Sequence, residues 1–299
     1  VKRNEKRIVF FTVILIISIA VSIFRLAVPV REDGDFLRKG GLPQVLVLDL
    51  IGAIQFGTSK AILQYLEEVE QNSAIRGVIL QINSPGGTVA SSQEIYAALM
   101  RLRQKGIKIV VGMGDIAASG GYYIASAADQ VVANPGTITG SIGVIIAGWD
   151  FTEIMDKIGV KSVIIKSGKM KDLLSPFKKM SEQEREHLKE MVLQAYEQFI
   201  GDILKGREGK ISEEELRKIA DGRVVNGDTA KQKGLVDKIG GRDTVRETMK
   251  ELLKSPEVKY VHPKKMFFEQ MMKQLLSNQN DWLFNSLKLP VFYYYGGAL

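Results

Sequence analysis

Uncharged residues run without a break from Ile8 to Phe24, with Lys2, Arg3, Lys6 and Arg7 ahead of them. Arg25 interrupts the run, and Leu26 to Val30 continue it. Seventeen residues reach the lower limit for a membrane-spanning helix, and an arginine near the end can carry its charge out to the interface. The positive flank puts the N-terminus in the cytoplasm and the rest of the chain on the other side. A cleaved signal peptide and a buried core helix are the alternatives. Against cleavage, the small-residue pair Ala20-x-Ser22 sits inside the apolar run. The pattern favours an uncleaved anchor over residues 1–30. Residues 31–44, rich in charge, glycine and proline, read as a linker.

Beyond it the periodicity alternates between strand and helix. Val45 to Leu50, Gly77 to Asn83 and Ile107 to Val111 are β-branched and leucine runs of strand length. Thr58 to Asn72 carries Ile62, Leu63, Leu66 and Val69 on one helical face, and Ser91 to Lys105 carries Ile95, Leu99 and Leu102. Short strands are expected at Gln130 to Ala133, Ile142 to Ala147 and Val163 to Ile165. Helices follow over Ser181 to Lys205, Ser212 to Ala220 and Asp243 to Lys254, then a strand over Val258 to Val261. Ser212-x-x-Glu215 has the form of a capping box. Strand–helix alternation predicts an α/β fold, a mostly parallel sheet covered by helices. From Pro263 the character changes: Met266 to Leu276 is a Met- and Phe-rich amphipathic piece, and the stretch from Leu289 through Tyr295 is extended and aromatic.

Composition narrows the chemistry. With 45% hydrophobic and 25% charged residues, a 299-residue chain has material for a full core. The net charge of +7 suits nucleic acid or anionic lipid. No strip interleaves aromatic with basic residues, which argues against nucleic acid. The chain has no cysteine, so thiol catalysis, cysteine–zinc sites and disulfides are excluded. The two histidines, His187 in a charged helical run and His262 before a proline, read as surface or structural residues. A serine nucleophile here works without a histidine base.

The candidate nucleophile is Ser119, in Ala117-Ala118-Ser119-Gly120-Gly121 after the third strand. Small neighbours leave its hydroxyl sterically open. At the start of a helix, backbone N–H groups can hold a developing oxyanion. The arrangement resembles a nucleophile elbow, with Ala117 where the G-x-S-x-G pattern has its first glycine. A tight packing turn of small residues is the alternative. Asn83-Ser84-Pro85-Gly86-Gly87 ends the second strand, and a glycine N–H there with that of Gly120 would make a two-point oxyanion hole, or the segment is a plain type II turn. A serine without histidine can use a lysine. An unperturbed lysine has a pKa near 10.4, so burial must lower it by about three units, roughly 4 kcal/mol. Ser167-Gly168-Lys169-Met170-Lys171-Asp172 offers Lys171, whose following apolar run could supply that burial, while Lys169 and the preceding Lys166 read as solvated surface lysines; spacing alone does not separate the three. Ser141, in Thr139-Gly140-Ser141-Ile142-Gly143-Val144, is expected to open a strand and could orient a lysine amine, or is an ordinary turn serine.

Taken in order, N-S-P-G-G, A-S-G-G-Y-Y, A-D-x-x-x-A-N-P-x-x-x-x-G-S-I-G-V and S-G-K-M-K-D-x-x-S-P-F resemble the signal peptide peptidase A (protease IV) family over residues 45–260. The resemblance implies a Clp protease/crotonase-like fold and a membrane-anchored Ser–Lys peptidase domain spanning 45–262. It implies Ser119 as nucleophile, Lys171 as general base, Ser141 as the serine bonded to that lysine, and Gly87 and Gly120 as oxyanion donors. It implies no cofactor and no metal. One serine motif and one lysine motif match the short form of the family, in which the dyad meets across a subunit boundary of a homo-oligomer, an octamer. The substrates implied are remnant signal peptides and other hydrophobic or unfolded segments near the membrane, with the catalytic domain on the extracytoplasmic side of the cell membrane. No motif matches the tail at 263–299. The rivals are a crotonase-fold acyl-CoA enzyme and an inactive membrane scaffold. The anchor and the A-S-G-G serine weigh against the first, whose members more often carry carboxylate acid–bases.

Overall fold

The computed structural model describes residues 41–263 and the strand Tyr293–Tyr295. The anchor at 1–30, most of the linker and the Met266 to Leu276 piece lie outside the described residues. Among the described residues, no helix is long and apolar enough to cross a membrane.

Three strands form the centre: β1 (Gln44–Ile51), β2 (Ile75–Ser84) and β4 (Lys108–Ala118). All pair in parallel, β2 in the middle. Side chains alternate across them. Leu46, Leu48 and Leu50 of β1, Val78, Leu80 and Ile82 of β2, and Ile109, Val111 and Met113 of β4 enter one buried cluster; Val45, Ile79 and Val110 enter another on the opposite face. Burial on both faces is why these strands read as continuous apolar runs.

The larger cluster is roofed by α1 (Phe56–Gln71), α2 (Val89–Gln104), α3 (Gly120–Ser126) and α5 (Glu182–Gly206). The smaller is covered by α8 (Arg242–Leu253), which brings down Val245 and Met249, one turn apart. A Cβ on Gly77 would come within 2.6 Å of the Met249 sulfur, so that glycine makes room for the helix. Both faces of the parallel sheet carry helices, as the alternation predicts.

One edge of β4 is shared by two strands in succession. Its first half, Val110 to Met113, pairs with β5 (Gln130–Ala133), and its last residues, Ile116 to Ala118, pair with β6 (Ile138–Gly140). At the fork, Thr137 Oγ1 donates to the Gly114 carbonyl at 2.7 Å. The Ile116 N–H donates to Asn83 Oδ1 at 3.1 Å, where the β2–β4 register shifts. Beyond β6 lies β7 (Val224–Asn226), antiparallel, and beyond β5 lies β8 (Lys238–Ile239). Beyond β1 lies β9 (Lys259–Val261). A separate pair joins β3 (Gly86–Thr88) to β10 (Tyr293–Tyr295), antiparallel.

Helix termini follow the local signals. Ser212 and Glu215 form the expected capping box at the start of α6 (Glu213–Ile219), and Ser181 with Glu184 forms another at the start of α5. Asn226 caps α7 (Gly227–Gln232) through the Thr229 N–H.

Three expectations are corrected. Ile142 to Ala147 is not a strand; the ladder beside Ser141 is β6, just before it, so Ser141 follows a strand instead of opening one. Val163 to Ile165 is irregular, with Val163 85% and Ile165 97% exposed, and pairs with no strand among the described residues. Both runs belong to a segment whose only helix is α4 (Thr152–Lys157), and Trp149, Ile154 and Ile158 on it are exposed as well.

Candidate active site

The site is built on the carboxyl end of β4. The strand stops at Ala118, α3 begins at Gly120, and Ser119 makes the turn between them with φ 54° and ψ −117°. A non-glycine residue pays strain for a positive φ, of order 1–3 kcal/mol. Here the main chain holds it in place. The Ser119 N–H donates to the Gly140 carbonyl at 2.8 Å, and the Ser119 carbonyl accepts from Tyr123 N–H at 2.8 Å. The hydroxyl is buried at 0% exposure, and among the described residues Oγ has no hydrogen-bond partner. This is the strand-to-helix elbow expected from the small residues.

Aromatic side chains brace α3 from below. The Tyr123 ring packs between those of Tyr96 and Phe199, at 5.0 and 4.9 Å between centroids. The Tyr123 hydroxyl donates to the Asp202 carboxylate, and the Tyr96 hydroxyl to the Asp202 carbonyl at 2.6 Å. Burial, with the Asp202 charge adding to it, pushes the Tyr96 phenol well above its ordinary range. The Tyr122 hydroxyl is buried and donates to the Leu235 carbonyl at 3.2 Å. The Tyr-Tyr after Gly-Gly is the sequence signal for this platform.

Gly86 and Gly87 flank the turn from β2. Ser84, at its end, pairs with Ala117 across the sheet, and its Oγ accepts from the Gly86 N–H at 3.1 Å. β3 then packs against α3. The reason for glycine at 87 differs from the expected one. A Cβ there would lie 1.9 Å from the Ile54 carbonyl oxygen, so a neighbouring main chain, not an incoming ligand, excludes a side chain.

Ser141 is brought beside Ser119. Ala118 pairs with Gly140, so the two serines follow paired residues on adjacent strands. Ser141 also has a positive φ, 50°, and its N–H donates to the Arg223 carbonyl at 2.8 Å. Thr139 Oγ1, buried, donates to the Ala117 carbonyl at 2.6 Å and ties the two strands below the serines.

Lys171 is not in this group. It is exposed, and its Nζ lies outside hydrogen-bond reach of the unpartnered Ser119 Oγ. Lys166 and Lys178 nearby in the chain are paired. Asp172 accepts from Lys166 Nζ at 2.6 Å and pairs with Lys178 Nζ at 3.1 Å, and Lys178 also pairs with Glu184. The Lys166 hydrogen bond chiefly holds the Asp172 carboxyl below its usual range, and Lys178 with the Ser181 N–H brings Glu184 down to about 2. Among the described residues Lys171 makes no ion pair, nor does Lys169, whose carbonyl accepts from Lys166 Nζ at 2.9 Å. A trough of about 520 Å³ borders this segment, lined by Val144, Ile145, Trp149, Leu174, Met180 and Leu188; Ser119 is not on its wall.

Two family profiles match the chain: peptidase family S49 over residues 101–255 and Clp protease over residues 41–137. The chain belongs to peptidase family S49. A candidate protease of Synechocystis sp. is 41% identical over 200 residues, 67% of this chain and 71% of that one. A candidate signal peptide peptidase of Enterococcus faecium is 38% identical over 188 residues, 63% of this chain and 54% of the relative. Protease 4 of Haemophilus influenzae is 32% identical over 214 residues, covering 69% of this chain but 34% of its own length. The S49 match spans both the Ser119 turn and the Lys171 segment, and the Clp protease match covers Gly87 and Ser119.

Proposed function

We propose that this S49 chain is a membrane-anchored serine endopeptidase in which Ser119 is the nucleophile and Lys171 of a neighbouring copy is the general base. Ser141 holds that lysine, and the Gly87 and Gly120 N–H groups take the oxyanion. The observation that carries this reading is the Ser119 hydroxyl, buried on a strained strand-to-helix turn with no hydrogen-bond partner among the described residues. A buried hydroxyl left unpaired costs about 1–3 kcal/mol, which a catalytic turn tolerates and a packing turn has no cause to keep.

The chemistry follows from the residues. Neutral Lys171 takes the Ser119 proton as Oγ bonds to the substrate carbonyl carbon. The former carbonyl oxygen carries the negative charge and accepts from Gly87 and Gly120. The carbon–nitrogen bond then breaks, and the lysine ammonium returns its proton to the leaving amine. Water repeats the sequence on the acyl-enzyme and frees Ser119. The scheme uses only side chains and main chain.

Two features support a base supplied by another copy. Lys171 is exposed in the single chain, where the apolar burial a lysine base needs is missing. In the chain segment that leads to it, Ile154, Ile158, Val163 and Ile165 are exposed, apolar area of the kind a partner covers. The apolar run at Ile8 to Phe24 supports membrane anchoring. With the name of the Enterococcus relative, it supports remnant signal peptides and other hydrophobic, unfolded segments as substrates. The test is complementation. Ser119→Ala and Lys171→Ala chains, each inactive, are mixed under conditions that exchange subunits. Recovered peptide hydrolysis supports the shared dyad, and no recovery despite verified co-assembly removes it.

A further inference from the structure

A second cavity lies at the other end of the sheet from Ser119. Lys210 Nζ donates at 2.7 Å to the carbonyl of Asp129, the residue just before β5. β5 begins opposite Val110, near the amino end of β4, whereas Ser119 follows the carboxyl end of β4. Lys210, α6 and the end of α7 enclose a space of about 450 Å³, within the range of about 300–1,000 Å³ that small-molecule sites occupy. Four lysines, Lys210, Lys218, Lys231 and Lys233, share its wall with one carboxylate, Glu215. That carboxylate is already engaged. Glu215 Oε2 accepts from the Ser212 N–H at 3.4 Å and from the Ser212 hydroxyl at 3.0 Å, in the capping box of α6. These bonds chiefly hold its carboxyl below the usual range, and the Lys218 and Lys233 charges add to them. Lys218 pairs with Glu214 at 2.7 Å, but both are exposed, where such a pair is worth little. Among the described residues Lys231 and Lys233 make no ion pair. Positive charge is in surplus behind the wall as well. Lys210 pairs with Asp237 at 2.8 Å, yet Arg207 donates to both oxygens of that same carboxylate. Burial first, then the Arg207 charge, holds the Lys210 ammonium below its ordinary range.

We propose that this cavity binds a phosphate-bearing anion of two or more negative charges. The ligand class follows from the lining. Lysine ammoniums are compact point charges that suit clustered phosphate oxygens, whereas a planar carboxylate is better met by the fork of an arginine. Ile219 is the only apolar side chain among the lining residues, and none of them is aromatic. The wall therefore has no platform for a nucleobase and no slot for an acyl chain, and it reads the phosphate group itself. An ammonium carries three N–H donors, and the Asp129 carbonyl and Asp237 take two of those on Lys210. The third, with Lys231 and Lys233, supplies donors to the anion. Binding also has a path to the fold, because Asp237 accepts from the Val131 N–H of β5 at 2.7 Å. A soluble pyrophosphate or short polyphosphate and a membrane-borne phosphomonoester headgroup present this same chemistry. The site uses none of the residues of the peptidase reading and does not rest on it.

The test uses the full chain in uncharged detergent micelles at low ionic strength, where charge attraction is least screened. Inorganic pyrophosphate is titrated in and the heat of binding followed. Lys231→Gln and Lys233→Gln are each expected to weaken binding about 2–10-fold. Lys60→Gln makes the same change of charge on exposed α1 and is expected to match the unsubstituted chain. Glu215→Gln keeps a side chain suited to the capping box, removes the one negative charge of the wall, and is expected to tighten binding about 2–10-fold. Pyrophosphate should also raise the Tm of the unsubstituted chain, and do so less in the Lys231→Gln/Lys233→Gln double variant. A second titration uses short-chain phosphatidic acid, with phosphatidylcholine as its reference. Pyrophosphate binding that depends on Lys231 and Lys233, with no response to phosphatidic acid, assigns a soluble anion. Phosphatidic acid binding that depends on them and that pyrophosphate displaces assigns a headgroup. No saturable binding of either by the unsubstituted chain overturns the proposal. Equal losses in Lys60→Gln and the cavity variants overturn it too, because the attraction would then belong to the whole surface. Weaker binding in Glu215→Gln, or an equal rise in Tm with and without the two lysines, also overturns it.

Discussion

Removing the hydroxyl of Ser119 is expected to make the protein more stable. Oγ is fully buried and, among the described residues, unpartnered, and an unsatisfied buried polar group costs about 1–3 kcal/mol. Alanine loses that cost and keeps the backbone strain of the positive φ. Glycine loses both, regaining about 1–3 kcal/mol of strain less about 0.5–1 kcal/mol of its own chain entropy. The expected order of stability is therefore glycine at or above alanine, and alanine above serine. For a domain of this size, 1 kcal/mol moves Tm by about 2–4 °C, so Ser119→Ala gains about 2–12 °C while losing all hydrolysis. A lysine from a neighbouring copy would satisfy part of the hydroxyl in the assembly. The comparison is therefore made twice, with Lys171 intact and in a Lys171→Ala background. The gain should be smaller with Lys171 present, by the 0.5–1.5 kcal/mol or so of one hydrogen bond, and that difference is the coupling of the dyad. Thermal scans at matched protein concentration measure it, since assembly makes Tm concentration-dependent. A Ser119→Ala chain less stable than its parent in the Lys171→Ala background refutes the reasoning, because the hydroxyl would then have a partner.

Three further outcomes are expected. Glu184 sits near 2 against an ordinary 4.5, held down by Lys178 first and then the Ser181 N–H, so its ionised form stabilises the fold above about pH 5 and stops doing so as pH falls toward 2. The Tm gap between the parent and Glu184→Gln should be flat above about pH 5 and close below it; a gap constant down to pH 2 contradicts the pairing. Arg207, buried, donates to both Asp237 oxygens at 2.7 and 3.1 Å and to the Gly234 carbonyl, so Arg207→Met strands a partly buried carboxylate and should cost about 3–5 kcal/mol by urea unfolding. A loss under about 1 kcal/mol would show that Lys210, 2.8 Å from Asp237, suffices alone. Gly87→Ala forces β3 away from Ile54 and should lower kcat about 10²–10³-fold, the usual cost of a lost oxyanion donor, whereas wild-type turnover would remove Gly87 from the site.

Much of this was legible from residue pattern, for reasons particular to each element. β1, β2 and β4 are buried on both faces, so their apolar runs are long and unmistakable. The elbow at Ser119 was legible because small residues cluster where a strand ends. β6 and β7 were not, since three residues hold no period, and the neighbouring apolar run at Ile142 to Ala147 drew the strand assignment downstream. Val163 to Ile165 has strand composition but pairs with no strand among the described residues. The need for glycine at 87 comes from Ile54, distant in the chain and invisible to local pattern. The positive φ of Ser141 depends on the Arg223 carbonyl that holds its N–H. The proposal of Lys171 as base rests on resemblance, because neither its spacing nor the single chain brings it to the serine.

The fork along β4 divides the labour of one strand. Val110 to Met113 is welded into the interior with β5, while Ile116 to Ala118 leans on β6 and delivers the serine turn. Strain at Ser119 is loaded onto the short outer half, beyond the Gly114–Thr137 tie. Substitutions around β5 and β8 can therefore accumulate and retune robustness without disturbing the reactive turn. Conversely, the outer half can be reshaped without loosening the interior. A lineage carrying this fork can adjust durability and reactivity as separate traits, written on two halves of the same strand.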